Sequence, residues 1–267
     1  MKSFSLINKR SLKVRRIGLI LSILLPAFTG RCAEPTIEWH QGAGPTGNFS
    51  SPHSAPLDWS VVQDRNIRWR LKLPETGQST PVVSLGRVYF TTYASVSKDS
   101  SLGKDIVAWC CAARTGRVLW QRTIEGKHPL RLSGCFGDSS SPPAVCVDGR
   151  VVFVNASGAI VCLDLKGREI WTRNLLSVGR SLPFEMDGNF VFTRQHYPPD
   201  PDGTFPHKYA DLPQDEWTQL QALDMSTGKD VWKSTCGVNM GNAVLPQRLN
   251  DGRRVAVVGR GGGHGPP

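Results

Sequence analysis

Residues 222–232 read Ala-Leu-Asp-Met-Ser-Thr-Gly-Lys-Asp-Val-Trp. An apolar strand end leads into an Asp-led turn closed by Thr227-Gly228, and a short strand then ends in Trp232. The same phrase occurs twice upstream. Residues 110–120 read Cys-Cys-Ala-Ala-Arg-Thr-Gly-Arg-Val-Leu-Trp, and residues 162–171 read Cys-Leu-Asp-Leu-Lys-Gly-Arg-Glu-Ile-Trp, one residue shorter in the turn. Self-similarity at this spacing marks an array of supersecondary units, as in propellers and solenoids.

Working outward, two more markers recur with each unit. The first is a tight turn between apolar runs: Leu85-Gly86, Asp148-Gly149, Asp187-Gly188 and Asp251-Gly252. Such pairs supply the positive φ values of a two-residue hairpin. The second is a proline just before or at the head of the preceding strand, at Pro81, Pro143, Pro183 and Pro246. There the missing N–H donor is tolerated. One unit is therefore strand, tight turn, strand, loop, strand, Asp-led turn, strand with Trp: a four-stranded antiparallel meander. One such sheet cannot cover both of its faces, and stacking copies face to face in a ring solves that. The fold class is all-β, a β-propeller.

A tryptophan ladder, Trp69, Trp120, Trp171 and Trp232, advances in steps of 51, 51 and 61 residues. Trp69 lies in residues 66–74, where Ile67, Trp69, Leu71 and Leu73 alternate with polar residues and predict a strand. The tryptophans are read as packing between neighbouring blades. Insertions fall between second and third strands, at residues 93–104 and 195–217; loops on one rim are where specificity resides. Three full units occupy residues 75–236, and a fourth opens at Gly237. About three and a half blades leave open edges, which predicts a truncated reading of a longer propeller. Residues 59–73 are then outer strands of a closing blade with partners beyond Pro267.

The net charge of +10 is concentrated at the start. Residues 1–31 carry seven Lys or Arg and no acid. Setting those aside from the 32 basic residues leaves 25 against 22 acids, near +3. A mildly basic, mixed surface predicts no nucleic-acid partner. A basic stretch to Arg16, then an apolar run over residues 17–28, reads as a secretory signal, too short to span a bilayer comfortably. Domains are thus a signal peptide at 1–33, a lead-in with closing-blade strands at 34–74, and propeller repeats at 75–267. The protein is expected to be periplasmic or secreted, with membrane contact only through the signal segment. Cys32 as a lipidation site and an uncleaved anchor are alternatives; Arg31 argues against the first.

The lead-in, residues 39–47, contains a literal G-x-G-x-x-G at Gly42, Gly44 and Gly47. Dinucleotide binding needs a strand before it and a helix after it. Pro45 interrupts it and Ser50-Ser51-Pro52 follows, so it reads as an extended segment lying along the surface.

The unit Ala222-x-Asp224-x-x-Thr227-Gly228-Lys229-x-x-Trp232 resembles the tryptophan-docking repeat of pyrroloquinoline-quinone (PQQ)-type propellers. The lead-in Trp39-x-Gln41-x-x-Gly44-Pro45-x-Gly47 is similar to the start of PQQ-like exported propeller proteins. The resemblance covers residues 39–267 and implies an eight-bladed ring in complete form. It is specific for fold and broad for function, since one repeat serves quinoprotein alcohol dehydrogenases, an outer-membrane assembly lipoprotein and many other exported proteins. Repeat one departs from it, with Ala112 at the Asp position and Cys110 at the Ala position. Repeat two has Cys162 at the Ala position and lacks the Thr.

The resemblance also directs attention to Cys110-Cys111, because some quinoprotein dehydrogenases hold a vicinal disulfide against the cofactor. Within a strand, neighbouring side chains point to opposite faces, so two packed thiols is the competing and preferred reading. The remaining cysteines form no C-x-x-C, and His40, His53, His128, His196, His207 and His264 show no ligand spacing. Ser139-Ser140-Ser141 lacks the G-x-S-x-G context of a hydrolase nucleophile. No catalytic residue and no metal site is predicted. A quinoprotein needs PQQ, a calcium ion held by hard oxygens and a carboxylate base. Candidates at the entries of the innermost strands are Gln78, Asp138, Ser139, Arg180, Asn239 and Asn242; the competing reading is a wet central funnel. The expectation is a non-catalytic binding or scaffold module for a protein or glycan at rim or funnel. A PQQ- and calcium-dependent dehydrogenase is the alternative.

Overall fold

The structure, a computed structural model, describes residues 38–132, 139–175, 178–179, 181–194, 200–203, 220–234 and 244–259. The signal segment, most of the 195–217 insertion and the final residues lie outside them.

The chain folds as repeated antiparallel meanders. The first blade has β1 (Val82–Ser84) and β2 (Arg87–Tyr93), then β4 (Ile106–Ala112) and β5 (Val118–Ile124), paired in that order. In its long loop β3 (Leu102–Gly103) pairs with β6 (Leu130–Arg131), which lies on the way to the second blade. The second blade is β7 (Val145–Val147), β8 (Arg150–Asn155), β9 (Ala159–Asp164) and β10 (Glu169–Asn174). The third is β11 (Phe184–Met186), β12 (Asn189–Thr193), β13 (Leu220–Asp224) and β14 (Asp230–Lys233). A hairpin of β15 (Val244–Arg248) and β16 (Arg254–Val258) opens a fourth. No helix occurs among the described residues. The fold is an incomplete β-propeller.

The core lies between blades because strand side chains alternate. In β8, Val151 and Phe153 join Val82 and Tyr89 in one cluster, while Val152 and Val154 join Phe190 and Phe192 in the next. The middle strands are accordingly buried on both faces, and the outermost strands β5, β10 and β14 are mostly exposed.

Three of the four predicted hairpins are tight. Both central residues have positive φ at Leu85-Gly86 (50° and 70°), Asp148-Gly149 (48° and 74°) and Asp187-Gly188 (53° and 77°). The fourth differs. Arg248 pairs with Arg254, so residues 249–253 form a longer loop in which Gly252 alone has positive φ. Pro246 is likewise not at the head of its strand but inside β15, opposite Ala256. It is tolerated because β15 is an edge strand within the described residues.

Residues 67–73 depart from expectation in a second way. Ile67, Trp69, Leu71 and Leu73 are half-buried and their neighbours exposed, as the alternation predicts, but no ladder forms. A strand needs a hydrogen-bonding neighbour, and none is present among the described residues. The lead-in also differs: residues 41–44 and Gly47 are buried rather than laid on the surface.

Candidate functional site

Three tryptophans each fasten to the turn of the unit that follows. The Nε1–H of Trp69 donates to Ala113 O (2.8 Å), that of Trp120 to Leu165 O (3.0 Å) and that of Trp171 to Met225 O (3.0 Å). The acceptor is always the residue after the Asp position of the next unit's turn. The indole faces lie on Gly116, Gly167 and Gly228, where an added Cβ would come within 2.5, 2.8 and 2.6 Å of the ring. Their φ values of 70°, 77° and 68° already favour glycine. A one-residue bulge precedes Trp120, Trp171 and Trp232, since the pairing shifts at Leu119, Ile170 and Val231. Bulges re-aim the side chain that follows. Sequence inspection missed these bulges; their only trace is an aliphatic residue before each Trp.

Repeat two keeps the same docking despite its shorter turn. Asp164 Oδ1 accepts from the amides of Lys166 (2.7 Å) and Arg168 (2.9 Å). In repeat three Asp224 Oδ1 accepts from the Ser226 and Thr227 hydroxyls (2.6 and 2.7 Å) and from both amides. These bonds hold the Asp224 carboxyl down at about 2. Ala112 offers no such acceptor, and its turn closes through backbone bonds from Gly116 and Thr115.

At the strand entries the structure brings Gln78 and residues 139–141 together. The Gln78 amide donates to Ser140 Oγ (3.0 Å) and Ser141 Oγ donates to Gln78 Oε1 (3.2 Å). Gln78 is exposed. Ser139 is fully buried, its Oγ without a hydrogen-bond partner among the described residues. These contacts stitch blade one to blade two. Asp138, Arg180, Asn239 and Asn242 lie outside the described residues. The described entry residues hold no carboxylate, and Gln78 Oε1 is already engaged, so they do not by themselves fit a calcium-quinone pair. Among the described residues no group of three or more His, Cys, Asp or Glu side chains is placed to hold a metal ion.

Cys110, Cys111, Cys146 and Cys162 are free and buried, so Cys110-Cys111 is a pair of packed thiols rather than a vicinal disulfide. Burial pushes Cys110 up to about 11 and Cys162 up to about 12, and raises Cys111 and Cys146 as well. Protonated thiols are poor nucleophiles and poor metal ligands.

Two features remain. The lead-in runs along the inner edges of the blades: Trp39 pairs with Val83, His40 O accepts from Cys146 N (2.8 Å) and Gln41 Oε1 accepts from Glu185 N (2.9 Å). Gly47 then packs on Pro246. One short segment thus touches the innermost strand of all three blades and of the fourth hairpin. On the rim, the insertions interlock. Arg131 of β6 binds Asp202 of the blade-three insertion at 3.0 Å, and the Arg131 amide donates to Gly203 O (3.3 Å). Asn155 Nδ2 anchors the base of the blade-one insertion at Lys104 O (2.8 Å).

A tryptophan-docked repeat, a glycine at each dock and a bulge before each strand-borne Trp recur from unit to unit. The family model described as "Outer membrane protein assembly factor BamB" matches residues 62–180 and 103–263. The chain belongs to this PQQ-like propeller family. No curated protein matches the sequence significantly. Among solved structures, BamB from Moraxella catarrhalis is 17% identical with a TM-score of 0.43, over 72% of this chain and 52% of its own. Quinohemoprotein alcohol dehydrogenase ADHIIG from Pseudomonas putida HK5 is 18% identical with a TM-score of 0.38, over 62% of this chain and 21% of its own. A computationally designed protein, Ika4, is 12% identical with a TM-score of 0.39, over 70% and 93%. This PQQ-like chain therefore spans about half the length of the BamB structure.

Proposed function

We propose that the protein is an exported, non-catalytic binding scaffold whose rim presents a surface to a protein partner. The observation that carries this reading is the interlocked rim: insertions from blades one and three and the connection into blade two are tied together by the Arg131–Asp202 pair and the β3–β6 ribbon. Loops held this way form a preorganised platform, which lowers the ordering cost of binding. The description of the matched family, an outer membrane assembly factor, supports a protein partner and an exported location. The described thiols are buried and protonated, which weighs against thiol-based redox chemistry.

The test has two arms. The full-length protein is mixed with PQQ and calcium, and quinone absorbance and alcohol-dependent dye reduction are followed. Neither is expected; stoichiometric quinone binding with dye reduction overturns the reading. In parallel, envelope proteins and purified glycans are crosslinked to the wild type and to Arg131→Ala/Asp202→Ala. Loss of one protein crosslink in the double variant, with retention in the outer-strand control Lys233→Ala, is expected. A glycan captured with the same dependence replaces the protein as the partner.

A further inference from the structure

Between the outer strands of blades one and two lies a groove with a cavity of about 510 Å³. Strand pairing fixes which side chains face it. Ala159, Val161 and Leu163 of β9 belong to the cluster shared with blade one. They pair with Asn174, Thr172 and Glu169 of β10, and residues directly opposite in a ladder share a face. On the other side stand Arg122 and Ile124 of β5, on the face that sends Trp120 to its dock. The turn after β5 adds Glu125 and Lys127.

The next interface is an internal reference, because the repeat fills the same positions there. Counted from the turns, Arg173 matches Arg122, Asp230 matches Glu169, Gln221 matches Val161 and Arg194 matches Asn155. Between blades two and three these side chains close the groove among themselves. Arg173 donates to Gly228 O (2.6 Å) and to Asp230 (3.3 Å), Gln221 donates to Asp230, and Arg194 donates to Gln221 Oε1 (3.1 Å). Between blades one and two that closure is missing. Val161 has no polar group, Asn155 is turned to Lys104 O and Ile124 O, and Arg122 donates to Gly167 O (2.9 Å) but to no carboxylate among the described residues. Arg168, also at the groove, is held by Asp164 at 2.7 Å. The side chains of Glu125, Lys127, Glu169, Thr172 and Asn174 have no partner among the described residues.

The groove thus sets two cations, Arg122 and Lys127, among two carboxylates, Glu125 and Glu169, above an aliphatic floor. An anion is repelled by the carboxylates and a cation by the basic pair. A hydroxyl suits both, because one oxygen donates to a carboxylate and accepts from a cation. Adjacent hydroxyls on a ring with apolar C–H faces also match the floor. We propose that this groove binds a neutral oligosaccharide, its hydroxyls on Arg122, Lys127, Glu125 and Glu169 and the C–H face of one ring on Ile124 and Val161. The volume falls within the range of small-ligand pockets, ~300–1,000 Å³, and the exposed walls admit a chain of sugars rather than one enclosed ring. None of the rim contacts takes part, so the site adds glycan binding to the scaffold whichever partner the rim takes.

The full-length protein is titrated calorimetrically with maltotriose, cellotriose, xylotriose and triacetylchitotriose. Trigalacturonate and the deacetylated chitosan trimer are the anionic and cationic controls. At least one neutral trisaccharide is expected to bind saturably at one site, and both charged controls at least about tenfold more weakly. Glu169→Gln and Lys127→Met, both at exposed positions, are each expected to weaken binding about tenfold, the scale of one hydrogen bond to a charged group. Val161→Gln/Glu169→Asp copies the closed interface and is expected to abolish binding; should its melting temperature fall, the two exposed variants carry the reading. No binding across the neutral panel, tighter binding of a charged control, or equal binding in the Glu169→Gln and Lys127→Met variants overturns the proposal. Loss of binding in Arg131→Ala/Asp202→Ala with retention in the groove variants moves the sugar to the rim and overturns this site alone.

Discussion

Trp171 joins packing and polarity at a single contact. It is 8% exposed, its ring lies on Gly228, and its N–H satisfies Met225 O. Trp171→Phe keeps most of the apolar area but leaves that carbonyl only the weak Cys162 thiol donor at 4.0 Å, and a gap beside it. The expected loss is roughly 1–3 kcal/mol, read as a lower urea midpoint. Gly228→Ala fails differently, through a Cβ within 2.6 Å of the ring and a φ of 68°; strain of this kind costs roughly 1–3 kcal/mol. Because both act on one dock, the double variant is expected to lose less than the sum. Asp224 makes a pH prediction. The Ser226 hydroxyl, then the Thr227 hydroxyl and amide, stabilise its charged form. Its folded pKa of about 2 lies below the ordinary 3.8, so the contribution is present above 3.8 and fades as pH falls toward 2. Asp224→Asn is expected to flatten that part of the acid-unfolding curve. The tryptophans, their glycines and this Asp were legible in the sequence because each recurs in register.

Among elements, the lead-in carries the most consequence for its length. Gln41 is 3% exposed; its carboxamide donates to Gly44 O (2.9 Å) and accepts from Glu185 N (2.9 Å), linking the segment's own turn to β11. Gln41→Leu keeps the bulk and leaves the Glu185 amide unpaired, while Gly44 O keeps the Gly47 amide, which costs roughly 1–3 kcal/mol. Hydrogen exchange at the Glu185 and Cys146 amides is expected to accelerate, while the Val152 and Val161 amides inside blade two stay protected. Faster exchange throughout blade two would show that the segment is essential to that blade rather than a brace across blades. The pattern Trp39-x-Gln41-x-x-Gly44-Pro45-x-Gly47 was legible as extended backbone, but its burial was not. Glycine allows close backbone approach as readily as it allows a solvent turn, and composition does not separate the two. The fourth hairpin carries the same lesson: Asp251-Gly252 matches the tight-turn signature, yet β15 pairs its partner over five positions and leaves five residues to close the loop.

For the molecule as a whole, the period predicted the architecture because a propeller is built from one sheet and one interface repeated. Rim chemistry stayed illegible because insertions are what the repeats do not share. Placing the core between blades has a consequence for unfolding. Cys110 and Cys146 lie in the cluster between blades one and two, and Cys162 in the cluster between blades two and three. Blade two contributes to both, so neither interface opens without stripping one of its faces. Nearest-neighbour coupling of this strength makes the blades unfold together. Burial also suppresses the reactivity of each thiol by holding it protonated. Alkylation in a urea series, mapped by mass spectrometry, is therefore expected to modify Cys110, Cys146 and Cys162 at one shared midpoint and none of them in native buffer. Labelling of Cys110 and Cys146 at clearly lower urea than Cys162 would mean that the first interface opens alone, and that the tryptophan docks, not the shared cores, set the cooperative unit.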